Sequence, residues 1–116
     1  MGNVNETLTA AAISETAASV ANALDLDRAV ELVQEVCRIP SVLGEEGELA
    51  RFLASVMAES GFEDVQLQPV LPDRPNAIGN VSFGQGPNVV LTGHLDTKPV
   101  SHGWSVTEPF SGALID

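Results

Sequence analysis

The sequence predicts an α/β fold for residues 25–116, in which two helices precede a mixed sheet that contains a hairpin. Three observations carry this expectation. Apolar residues recur at helical spacing up to about position 60, alternate with polar ones from about position 64, and run consecutively at Val89-Val90-Leu91. A chain of 116 residues has room for one small domain, and a hydrophobic fraction of 44% is enough to supply it with a core.

The first helix is expected from Asp25 or Asp27 to Arg38. Leu26, Ala29, Val30, Val33, Val36 and Cys37 form one stripe, and Arg28, Glu31, Gln34, Glu35 and Arg38 fall opposite. An Asp caps its start, and Pro40 stops it. Cys37, on the stripe, reads as a small buried core residue rather than a reactive thiol. A second helix is expected over 45–60, with Leu49, Phe52, Leu53, Val56 and Met57 inward and Gly61 at the left-handed position that ends it. Glu45, Glu46 and Glu48 read as a solvated first turn, where the helix dipole favours carboxylates, in preference to a metal cluster. Three strands should follow: one near 64–69, one over 76–83 and one over 88–94. Gly84-Gln85-Gly86-Pro87 would join the last two as a hairpin. The run Val89–Leu91 implies a strand buried on both faces. Residues 1–24 are small, polar and weakly patterned, and read as a mobile leader.

The charge balance excludes some partners. Sixteen acidic against five basic side chains give −11, which disfavours nucleic acid and anionic membranes. A single cysteine, with no basic, apolar secretory segment, points to the cytoplasm.

Chemistry concentrates at Thr92-Gly93-His94-Leu95-Asp96, the end of the expected third strand. In extended backbone, residues two apart project to one side, so His94 and Asp96 should stand together. A neutral imidazole is a zinc ligand, and an adjacent carboxylate can orient its ring. As an isolated pair, His-x-Asp reads as a surface histidine beside an acid sooner than as a metal site.

The wider stretch is more specific. Val89 to Val100 is followed by Gly103-Trp104-Ser105 and by Glu108-Pro109-Phe110-Ser111-Gly112. Upstream stand Ile39-Pro40-Ser41, Gly44-Glu45-Glu46 and Arg74-Pro75-Asn76. Together these resemble the zinc metallopeptidase and amidohydrolase family of acetylornithine deacetylase, succinyl-diaminopimelate desuccinylase and glutamate carboxypeptidase. The resemblance covers about Leu26 to Asp116 and implies the N-terminal part of a zinc-exopeptidase-like catalytic domain. It implies that His94 binds one of two zinc ions, with cobalt as an alternative metal, and that Asp96 is the catalytic partner holding the histidine. The implied reaction is attack of metal-activated water on the amide of a small N-acyl amino acid or peptide. It is compatible with a homodimer of the complete enzyme.

The general base and further ligands of that family are expected beyond Asp116, so the 116-residue chain alone is expected to be inactive and to hold zinc weakly. A rival expectation makes the chain a catalytically inactive truncated product, or an acidic interaction module that pairs through an exposed sheet edge. A serine hydrolase using Ser41 or Ser101 ranks last, because neither lies in a Gly-x-Ser-x-Gly elbow. Lys98 is a weak candidate for an anionic substrate group, and Trp104 and Phe110 are candidate covers for the metal site.

Overall fold

The computed structural model describes residues 10–115. These form two compact units, divided between Leu32 and Val33.

The first unit holds helix α1 (Ala10–Ala23) and the start of α2 (Leu26–Cys37). The segment read as a leader thus carries a helix, none of whose residues is buried; residues 1–9 lie outside the described ones. Asp25 caps α2 as expected: its Oδ1 accepts the Arg28 N–H at 2.9 Å, satisfying a donor that has no partner within the helix. The expected apolar stripe is present in sequence but uncovered. Leu26, Val30 and Val33 are exposed, and so is Cys37, which corrects its reading as a buried core residue. Amphipathic spacing marks a face able to be buried; only a packed neighbour buries it.

The second unit contains the remainder of α2, then α3 (Gly47–Glu59), β1 (Glu63–Leu71) and β2 (Arg74–Asn80). The two strands pair antiparallel as a hairpin on which α3 packs. Leu49 and Ala50 form its buried apolar centre, flanked by half-buried Phe52, Leu53, Val56 and Met57. Gly79 lies so near the helix that an added Cβ would come 3.0 Å from the Phe62 ring and 3.2 Å from the Met57 sulfur. Pro69 faces Pro75 across the hairpin, a pairing tolerated because each strand has one unpaired edge. Gly61, at φ +81°, takes the left-handed conformation expected after α3.

The α/β class holds, but the hairpin is not the expected one. It joins β1 to β2 through Pro72 and Asp73, and β2 ends at Asn80 rather than Phe83. Residues 88–94 form no strand, and Val89, Val90 and Leu91 are 80%, 84% and 92% exposed. The expected doubly buried strand is therefore corrected. An apolar run becomes a central strand only between neighbours that supply its ladder, and the described residues place none beside it.

Candidate functional site

Within the second unit, the His94–Asp96 segment is tied to the loop before α3 by a non-local clasp. The Thr97 N–H donates to the Ser41 carbonyl at 2.8 Å and the Leu43 N–H to the Thr97 carbonyl at 3.3 Å, a short parallel bridge between Val42 and Thr97. Ser41, only 1% exposed, adds its hydroxyl, which donates to the Leu95 carbonyl. That contact leaves Ser41 sealed in a structural bond, unsuited to act as a nucleophile.

Beside the clasp lies a depression of about 400 Å3 whose wall includes Glu46, Arg74, Asn76, His94 and Asp96. His94 and Asp96 do stand together. The His94 Nδ1 is 2.9 Å from the Asp96 carbonyl oxygen and 3.4 Å from its Oδ1. A carbonyl can only accept, so in the neutral ring Nδ1 is the donor and Nε2 the nitrogen with the free lone pair. The imidazole is 83% exposed and the Asp96 side chain 43%, so this nitrogen is accessible from solution.

Glu46 differs from its expected role. It is 5% exposed rather than solvated. Its Oε2 and Oε1 accept a two-pronged pair from Arg74 Nε and Nη2, at 2.8 and 2.7 Å, and Oε1 also accepts the Gly44 N–H at 3.1 Å. The Arg74 hydrogen bonds, with help from Gly44, hold the Glu46 carboxyl down at about 2 against its ordinary 4.5. Arg74 is raised in turn, chiefly by Glu46 and less by the charge of Asp96. No signal local to either residue announces this pair. A Glu in a helix's first turn and an Arg opening a strand are ordinary, and only the hairpin's return beneath α3 joins them.

The other candidates lie apart. Ser101 and Trp104 line a separate shallow loop depression over 101–107, whose wall does not include His94. Phe110 is half-buried near the Ser111 and Gly112 carbonyls, which Arg38 Nε and Gln34 Nε2 bind at 3.2 and 2.6 Å. Lys98 is exposed. Among the described residues no three His, Cys, Asp or Glu side chains converge on a point that could hold a metal ion. No described helix is long and apolar enough to cross a membrane.

The described α/β residues thus present a histidine and a carboxylate together at an open depression. Comparison with known proteins gives the chain a family. The chain is 35% identical over 93 residues to succinyl-diaminopimelate desuccinylase of Methylobacterium radiotolerans, covering 78% of this chain and 24% of that protein. It is 42% identical over 76 residues to LysW-lysine hydrolase of Deinococcus radiodurans, covering 65% and 19%. Against the desuccinylase of Methylorubrum extorquens the figures are 36% over 89 residues, 73% and 23%. The chain belongs to the peptidase and amidohydrolase family that contains these enzymes, and it spans about a quarter or less of their length. No family model matches the chain, and no solved structure does.

Proposed function

We propose that this chain contributes one wall of the active site of a dinuclear zinc hydrolase that cleaves the amide bond of small N-acyl amino acids or peptides in the cytoplasm. The observation that carries the reading is the His94 ring. Its Nδ1–H is spent on the Asp96 carbonyl, with the Asp96 carboxylate beside it, and its Nε2 is left open as a ligand. Relatives named as a desuccinylase and a LysW-lysine hydrolase support the substrate class.

One imidazole with an orienting carboxylate fits one corner of a zinc site, not a whole one, since catalytic zinc usually has three protein ligands. Glu46 does not supply another, because both its oxygens are engaged by Arg74. The remaining ligands and the general base would come from outside the described residues. When bound, zinc would supply Lewis acidity toward the amide carbonyl and toward water. This chain's own part is to hold His94 in one tautomer, turn its Nε2 outward and line the depression.

Two measurements test the reading. A chimera carries this chain in place of the matching segment of the Methylobacterium desuccinylase. It should hydrolyse N-succinyl-diaminopimelate and should lose activity and bound zinc on His94→Ala. On the 116-residue chain alone, cobalt(II) should bind weakly and broaden the resonances of Gly93, His94 and Asp96, and no amide should be hydrolysed. Tight stoichiometric zinc binding by the chain, or an active His94→Ala chimera, would refute the assignment. A second reading, a module that pairs through exposed apolar backbone, draws on the exposure of Val89, Val90 and Leu91. An inactive chimera together with self-association of the chain would favour it.

A further inference from the structure

We infer that Ser41 is a positioning residue for the His94 ring: it grips the two peptide groups that flank the Asp96 Cα and so aims the Asp96 carbonyl at His94 Nδ1. Its bearing on catalysis rests on the reading of His94 as a metal ligand, which leaves Ser41 without a role.

The contacts run in series. The Ser41 hydroxyl donates to the Leu95 carbonyl, part of the peptide group before Asp96. The Ser41 carbonyl accepts the Thr97 N–H at 2.8 Å, part of the peptide group after it. Each peptide group is rigid and planar, so holding both fixes the φ and ψ of Asp96 between them. In a trans peptide the C=O and N–H point in opposite directions, and no described peptide bond is cis. A Thr97 N–H directed at Ser41 therefore sends the Asp96 carbonyl away from Ser41. That is the oxygen lying 2.9 Å from His94 Nδ1. The Leu43 N–H, donating to the Thr97 carbonyl at 3.3 Å, closes the far side of the grip.

The ring has little else to hold it. Its side chain is 83% exposed, whereas Ser41 is 1% exposed. Period-two spacing sets the His94 and Asp96 side chains on one side but does not decide which way the Asp96 carbonyl faces. A buried hydroxyl needs a partner, and this one takes the Leu95 carbonyl. Alanine would fill nearly the same space and keep the backbone bridge, so what the hydroxyl adds is direction.

Nuclear magnetic resonance of the isotopically labelled, metal-free chain tests this. Wild type should show scalar coupling across the Thr97-to-Ser41 hydrogen bond and a single His94 χ1 rotamer. Ser41→Ala should average the ring over several rotamers and weaken its contacts with Asp96 several-fold, with the β1–β2 amide shifts unchanged. Ser41→Thr, which keeps the hydroxyl, should restore the single rotamer. Val56→Ala loosens α3 without touching the clasp and should leave the ring as in wild type; a Ser41 acting only through overall stability would predict otherwise. If Ser41→Ala loses the hairpin, rising urea applied to wild type reads the same link. The Thr97–Ser41 coupling and the single rotamer should then vanish together, before the hairpin melts.

A ring unchanged in Ser41→Ala overturns the proposal, as does equal loss in the Ala and Thr variants. So does a ring as loose in Val56→Ala as in Ser41→Ala, or one that stays fixed in urea after the coupling has gone. The cobalt and chimera experiments test His94 as a ligand separately, so either claim can fail while the other stands.

Discussion

Two stretches of the second unit use similar apolar content to opposite effect. In α3, Leu49 and Ala50 are at most 5% exposed because β1 and β2 lie against them. At 88–94, Val89, Val90 and Leu91 are at least 80% exposed although they form an unbroken apolar run. The difference lies in what each can reach. A helix satisfies its own backbone and needs only one covered face, whereas a buried strand needs neighbours on both edges and both faces.

The comparison makes graded predictions. Leu49→Ala should have the largest effect, about 2–5 kcal/mol of stability, for lost transfer energy plus a cavity beneath the hairpin. Urea unfolding followed by tryptophan-independent circular dichroism measures it, and a loss as small as that at Val90 would break the contrast. Next comes Glu46→Gln, which leaves Arg74 with a neutral partner. Because the folded Glu46 carboxyl sits at about 2, below its ordinary 4.5, its contribution is fully present above pH 4.5 and disappears as the pH falls toward 2. The wild-type advantage over Glu46→Gln should therefore shrink across that interval; an advantage that grew on acidification would contradict the pair. Ser41→Ala should cost about 1 kcal/mol, and should raise amide exchange at Thr97 before it alters β2. Last, Val90→Ser should stay within about 0.5 kcal/mol, as for an exposed site. A larger loss would mean that 88–94 is covered in solution.

Elements governed by neighbours in sequence were legible from sequence. The α2 cap at Asp25, the α3 stop at Gly61 and the strand around Val65 each depend on residues a few positions away, although Leu67, expected inward, is exposed. Features that need distant partners were not. The exposure of Cys37 and Val33 depends on what packs on α2, and the third strand depends on flanking strands. Burial of Glu46 depends on Arg74, 28 residues on. The His94–Asp96 proximity was readable because period-two geometry is local, but the clasp that carries the pair to Ser41 was not.

That clasp sets an order of events. The helices and the hairpin close over short spans and can form within microseconds. The Ser41–Leu95 bond joins residues 54 apart, and the chain between them must surrender its freedom before the contact repays it. The histidine and aspartate are thus delivered to their depression last, onto a scaffold that is already standing, and on partial unfolding they should be the first to leave it.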